Sequence, residues 1–130
     1  MSDYSVEIIT SSRKLTAREE IAAKDTSNAL SFDDELKEVN DRIVLTPNAY
    51  IELAVHNPNS KNDKDYKKYL IIDNAGNKYV TGSESFFTAF KQIFTTMSEK
   101  APDEEYSIEV YKKPSKNYTG KYFLTCSILP

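Results

Sequence analysis

Thr81-Gly-Ser-Glu-Ser-Phe-Phe-Thr-Ala-Phe-Lys-Gln-Ile-Phe-Thr-Thr-Met97 is the stretch from which the fold is read. Thr81 and Glu84 stand at capping-box spacing, in which a hydroxyl and a carboxylate satisfy the free amides of a helix start, with Ser83 as a competing cap. Phe86, Phe90, Ile93 and Met97 then recur at helical spacing, joined by Phe87 and Phe94 on a broad apolar face. Such a helix must pack on a large surface. Strand-like runs flank it. Tyr66 to Asp73 is nearly continuously apolar at Tyr69-Leu-Ile-Ile72, the turn Asn74-Ala-Gly-Asn77 follows, and Lys78 to Thr81 returns as its partner. Beyond the helix, Ala101-Pro-Asp-Glu-Glu105 breaks the pattern, and Tyr106 to Lys112 and Lys121 to Ile128 read as a closing hairpin.

Working back toward the start, Ile43 to Leu45 and Ala49 to His56 read as strand, with Pro47 marking an edge or bulge because it cannot donate to a ladder. Asn57 to Asp65 is a polar loop. Tyr4 to Ile9 alternates apolar and polar residues as a half-buried strand does, and Thr16-Ala-Arg-Glu19 opens a second, short helix running to about Asp25. Thr26 to Phe32 is expected as a short strand. Asp33 to Asp41 is expected as a solvated, mobile acidic connection with little to bury.

The chain has 130 residues, 39% hydrophobic and 28% charged, which is the composition of an ordinary globular domain. No apolar run approaches the roughly 18 to 20 residues of a membrane span, and the N-terminus lacks the pattern of a signal peptide, so a cytoplasmic location is expected. One Cys (Cys126) and one His (His56) allow neither an internal disulfide nor a Cys/His zinc site, and no metal or cofactor is expected.

The net charge of −3 is distributed unevenly. Residues 1–42 hold ten acids and six bases, net −4, and residues 43–105 hold nine acids and seven bases, net −2. Residues 106–130 hold Lys112, Lys113, Lys116 and Lys121 against Glu109 alone, net +3. Because salt confines each charge's influence to about 8 to 10 Å, a local basic patch can hold a polyanion that the chain as a whole repels.

From Ile43 onward the order is strand, strand, strand, helix, strand, strand, which is that of an OB-fold. In the segments Tyr69-Leu-Ile-Ile-Asp-Asn-Ala-Gly-Asn-Lys-Tyr-Val-Thr-Gly-Ser-Glu-Ser-Phe-Phe87 and Tyr106-Ser-Ile-Glu-Val-Tyr-Lys-Lys-Pro-Ser-Lys-Asn-Tyr-Thr-Gly-Lys-Tyr-Phe123, the chain resembles the small OB-fold single-stranded DNA-binding proteins of phages and conjugative plasmids of Gram-positive bacteria. The resemblance covers residues 43–130. It implies a mostly β fold, a five-stranded OB-like barrel whose base is plugged by one helix over residues 82–97. Residues 1–42 would form an N-terminal extension, packed on the barrel or exchanged between protomers. The implied function is single-stranded DNA binding with little sequence preference, in phage or plasmid DNA replication or transfer in a bacterial host cell. Many bacterial members of this class end in an acidic tail with a terminal Phe; this chain ends Cys-Ser-Ile-Leu-Pro130, so tail-borne recruitment is not carried over.

Single strands bind through Lys contacts to phosphate and stacking of bases on aromatic rings. With nine Tyr and no Trp, Tyr would supply most platforms. The candidates are Tyr118, Tyr111, Lys112, Lys113, Lys116 and Lys121 around the last hairpin, and Tyr66, Lys67, Lys68, Lys78 and Tyr79 on the central strands. If Ile108 and Val110 face the core, alternation turns Glu109, Tyr111 and Lys113 outward. Tyr122 shares a face with Leu124 and Cys126 and ranks lower. The plainer roles are core filling for the tyrosines and edge protection for the lysines.

Catalysis is not expected. His56 ends an apolar strand with no acid near it in sequence, Cys126 lies in a strand-like run, and Asp33-Asp-Glu35 and Asp103-Glu-Glu105 lack calcium-loop spacing. No Walker loop or dinucleotide fingerprint is present, and three glycines in all leave little room for one. The alternative to single-stranded DNA or RNA as partner is a protein: a host or replication protein, the chain then being a module such as a phage-encoded inhibitor of a host enzyme or defence system that uses its acidic N-terminal segment. A homo-oligomer built through that segment is a further expectation.

Overall fold

The computed structural model describes residues 5–25, 29–38, 40–58, 65–115 and 120–130. The described strands fall into two sheets, accompanied by three helices, so the chain is rich in β structure. Two compact units are present, each made of two stretches of chain: Met1–Ser31 with Asn48–Gly82, and Phe32–Pro47 with Ser83–Pro130.

The first unit is built on a five-stranded sheet. Its strands are β1 (Ser5–Ser11), β2 (Leu30–Ser31), β4 (Pro47–His56), β5 (Asp65–Asp73) and β6 (Lys78–Thr81), in the order β1-β4-β5-β6-β2. β1 pairs antiparallel with β4, Val6 opposite Val55 and Ile8 opposite Leu53, and a bulge at Ile9 leaves that side chain 48% exposed. The N-terminal strand is thus paired within its own chain. One sheet face carries Ile51, Leu53, Leu70, Ile72, Val80, Val6 and Ile8, which pack with Ala23 of helix α1 (Ala17–Lys24). Thr16 caps that helix as its spacing predicts: its hydroxyl accepts from the Glu19 amide at 3.2 Å, and the Glu19 carboxylate accepts from the Thr16 amide at 3.0 Å. At the other end of α1, the Ala22 carbonyl accepts from the capping Asp25 amide at 3.3 Å and from the Lys78 ammonium at 3.2 Å, a cation placed at the helix C-terminus. The turn from β5 to β6 is held by Asp73, whose carboxylate accepts from the Ala75 and Asn77 amides at 3.0 and 2.8 Å. Gly76 supplies the φ of +87° that this turn needs.

The second unit packs helices α2 (Phe32–Glu35) and α3 (Glu84–Lys100) with a three-stranded sheet ordered β3 (Ile43–Leu45), β7 (Ile108–Pro114) and β8 (Tyr122–Ile128). Ser83, not Thr81, caps α3: its hydroxyl accepts from the Phe86 amide at 3.2 Å, while Thr81 completes β6 and is buried. The helix keeps its apolar side inward. Phe86 and Phe90 are wholly buried and stack at 5.8 Å between centroids, and Phe32 meets Phe86 at 5.0 Å. Aromatic pairs of this kind add about 0.5 to 1.5 kcal/mol beyond the area they bury. Ile108, Val110, Leu124 and Cys126 supply the buried side of the sheet, and the Ser85 hydroxyl ties α3 to β8 by donating to the Leu124 carbonyl at 2.9 Å.

Several expectations are corrected. No closed barrel forms among the described residues. The outer edge of β6 is occupied by β2, which runs parallel to it with Leu30 opposite Tyr79, and β8 lies at the edge of its own sheet beside β7. The acidic run is not all solvent-facing: Phe32 and Leu36 are 0% and 1% exposed, because a helical turn from Phe32 brings both to the same side four residues apart. Only Leu30–Ser31 of the expected strand over residues 26–32 pairs as strand, with residues 26–28 outside those described. No helix among the described residues is long and apolar enough to cross a membrane.

Candidate nucleic-acid interface

Alternation along β7 and β8 gives the three-stranded sheet two faces of different chemistry. Ile108 and Val110 are fully buried on one, so Glu109, Tyr111 and Lys113 point to the other. The antiparallel register sets Ser127 opposite Glu109, Thr125 opposite Tyr111 and Phe123 opposite Lys113. Val44 of β3, opposite Glu109 on the other side, joins the same face. Val44 is 59% exposed and Phe123 38%, large apolar groups left in water on the face opposite the buried one.

A polar constellation occupies one part of this face. The Tyr111 hydroxyl and the Ser127 Oγ share a hydrogen bond of 2.6 Å, which fixes the phenol ring. The Arg42 guanidinium carbon lies over that ring, 4.8 Å from its centroid, within the range of a cation–π contact. Arg42 Nε approaches Glu109 Oε1 at 3.0 Å, and Nη1 donates to the Asp41 carbonyl at 2.9 Å. Phe123 stands diagonally across from Tyr111, a separation of about 7 to 8 Å that aromatic side chains can bridge. A cation over a ring, a second ring and a lysine thus share one surface.

The sequence-predicted candidates separate into three groups. Tyr111 and Lys113 share the outer face, and Lys121 is exposed where the hairpin returns, the Ser115 amide donating to its carbonyl at 2.8 Å. Lys112 is opposite Leu124 on the buried side of the sheet and is not part of that surface. Tyr118 and Lys116 lie outside the described residues. Tyr66, Lys67, Lys68, Lys78 and Tyr79 belong to the first unit, where register divides them between two faces of the five-stranded sheet. Lys67 pairs with Glu52 at 3.2 Å, Lys68 lies 6.0 Å over the Tyr66 ring, Lys78 caps α1, and Tyr79 is half-buried opposite Ile71. These five have structural contacts and do not form one surface. Tyr122, placed by parity with Leu124 and Cys126, is 51% exposed, because burial under β8 extends over Leu124 and Cys126 but not to the strand's ends.

Arg42, Phe123, Glu109 and Ser127 were not singled out as site residues by sequence. Phe123 could have been: alternation that turns Leu124 and Cys126 inward turns Phe123 outward. Arg42 had no such signal, since its place over Tyr111 depends on Val44 pairing with Glu109 across 65 positions of chain.

Burial pushes the Cys126 thiol up to about 12 and the Tyr106 phenol also to about 12, the latter with a smaller contribution from Cys126. His56 does have an acid beside it: the β4–β5 return brings Asp65 Oδ1 to 2.7 Å from its Nδ1, at the rim of a shallow depression lined by Ser5, Glu7, Ala54 and Lys67. Among the described residues no group of three or more His, Cys, Asp or Glu side chains is placed to hold a metal ion. No protein-family model, curated protein or solved structure matches the chain.

Proposed function

We propose that the chain binds single-stranded DNA with little sequence preference, through the outer face of β3, β7 and β8 and the basic hairpin end beside it. The observation that carries the reading is the exposed Phe123, opposite Lys113 and diagonal to Tyr111 with Arg42 over its ring, on the sheet face turned away from the buried Ile108, Val110, Leu124 and Cys126. A flat surface bearing rings and cations suits a strand whose bases are unstacked, because every base has a π-face and every linkage a charge. Lys113 and Lys121 are the phosphate contacts, and Phe123 is a stacking platform. The strand-helix-strand order is that of an OB-fold left unclosed, and the resemblance in residues 69–87 and 106–123 adds the setting: replication or transfer of phage or plasmid DNA in a bacterial cell.

The test is fluorescence anisotropy of labelled oligonucleotides of about 30 nucleotides, long enough for any single OB-type footprint, in single- and double-stranded form. Micromolar or tighter binding to the single strand, much weaker binding to the duplex, and loss of affinity as salt rises are the expected results. Absence of single-strand binding at low salt refutes the proposal and turns attention to a protein partner, the reading that the acidic net charge of −3 favours.

A further inference from the structure

We infer that Arg42, rather than Tyr111, is the surface on which a nucleobase stacks, and that Glu109 restricts Arg42 to stacking by occupying its hydrogen-bonding edge. The inference rests on the nucleic-acid reading above and assigns the contact within it. Arginine meets nucleic acid in two ways: its forked N–H edge grips phosphate, or its flat face lies on a base. Here Nε is engaged by the Glu109 carboxylate at 3.0 Å and Nη1 by the Asp41 carbonyl at 2.9 Å, so edge donors that a phosphate would use are already committed. The Glu109 charge, held at the same place, also repels an incoming phosphate. The guanidinium itself lies over the Tyr111 ring at 4.8 Å, and that ring is fixed from its other end by Ser127. The Arg42 side chain is 39% exposed beside that ring, so a base on this face can reach the guanidinium plane. Tyr111 positions Arg42, and Phe123, diagonal to Tyr111, offers the next base a second platform.

This arrangement separates two quantities that a phosphate contact would couple. Stacking adds affinity without releasing a counterion, whereas each phosphate neutralised adds about 0.7 to the slope of log K against log salt for a single strand. The experiment is an anisotropy titration of oligo-dT at a series of salt concentrations with the full chain and its variants, each checked for folding by circular dichroism. Arg42→Ala is expected to weaken binding roughly fivefold or more while leaving the salt slope at the wild-type value, and Arg42→Lys, which keeps the charge and loses the plane, is expected to weaken it comparably. Glu109→Gln frees the guanidinium fork and is expected to tighten binding and steepen the slope by about 0.7. A slope that falls with Arg42→Ala would make Arg42 a phosphate contact and overturn the inference, as would wild-type affinity in that variant. If Arg42→Ala does not fold, an unchanged slope in Glu109→Gln overturns it alone. A wild-type chain that binds no single strand overturns the functional reading itself, a result distinct from all of these.

Discussion

Phe123 and Leu124 are neighbours in β8 that face opposite ways, and truncating each in turn separates binding from folding. Leu124 is 3% exposed among Val110, Cys126 and α3, whereas Phe123 is 38% exposed on the outer face opposite Lys113. Leu124→Ala removes buried methyl groups and leaves a cavity beneath the helix, a change that costs about 2 to 5 kcal/mol of stability. Phe123→Ala removes a ring already well exposed to solvent, so the stability cost is expected near 1 kcal/mol, in the range of a cross-strand pair. Its effect on binding is the reverse. One base–aromatic stack contributes about 1 to 3 kcal/mol, which at about 1.4 kcal/mol per decade is a loss of roughly 5- to 140-fold in affinity. Urea unfolding followed by circular dichroism measures the first quantity, and anisotropy with a single-stranded oligonucleotide measures the second. A Phe123→Ala chain that binds within twofold of wild type refutes the placement of the strand on this face. A Phe123→Ala chain destabilised as much as Leu124→Ala shows that the face is packed against something, which removes the surface altogether.

Lys113→Ala and Lys121→Ala are each expected to lower the slope of log K against log salt by about 0.7, as loss of one single-strand phosphate contact does, and slopes equal to wild type would exclude them as contacts. Leu36→Ala is expected to cost about 2 to 5 kcal/mol in urea unfolding, because the side chain is 1% exposed, while truncation of the adjacent exposed Lys37 should stay within about 0.5 kcal/mol. Alkaline pH should destabilise the fold. Cys126 rises from 9.0 to about 12 and Tyr106 from 10.0 to about 12 on folding, so both are protonated in the native state at pH values where the unfolded chain has released the proton. Their neutral forms stabilise the fold fully below pH 9, and that stability is lost as pH rises from about 9 toward 12; Cys126→Ala should flatten the fall in urea midpoint across this window. A native thiol that reacts with a disulfide reagent at pH 8 as fast as the unfolded chain does would contradict the burial of Cys126.

Local signals in the sequence located most elements. The capping box at Thr16, the turn at Asp73–Asn77 and the Phe-rich helix all depend on residues within a few positions of one another, and each forms where its spacing indicates. The cap of α3 moved from Thr81 to Ser83 because β6 claims Thr81 for its ladder with Tyr69, a tertiary pairing that local spacing cannot register. Barrel closure failed for the same kind of reason: two residues, Leu30 and Ser31, take the edge of β6, and so short a parallel pairing leaves almost no pattern. The acidic stretch misled because its charges outnumber its apolar groups, yet Phe32 and Leu36 at helical spacing are enough to bury one side of a turn. For the site, alternation oriented Tyr111 and Lys113 correctly with respect to Ile108 and Val110. What it could not supply was Arg42, which reaches Tyr111 through β3 and not through any repeat along the chain.

The proposed anion-binding face is compatible with an acidic chain because charges near β7 are sorted along it. Asp103, Glu104 and Glu105 precede the strand, and Lys112 and Lys113 lie at its far end. Five strand steps of about 3.3 Å, from Ile108 to Lys113, set Lys113 about 16 Å from the start of the strand that the acids precede, beyond one screening length at physiological salt. At that ionic strength a phosphate beside Lys113 therefore senses the lysines, Arg42 and Glu109, and little of the acidic end. At about 0.01 M salt the screening length reaches about 30 Å, and the net −3 of the whole chain acts on the same phosphate. Counterion release strengthens binding as salt falls, while the long-range repulsion grows, so the two oppose each other at the low end. The plot of log K against log salt should then be steep near physiological strength and flatten below it, with association rates flattening first, since repulsion acts on the approach before any contact is made. Charge reversal at Glu104 and Glu105, remote from the face, should restore the steep slope at low salt without altering it at high salt.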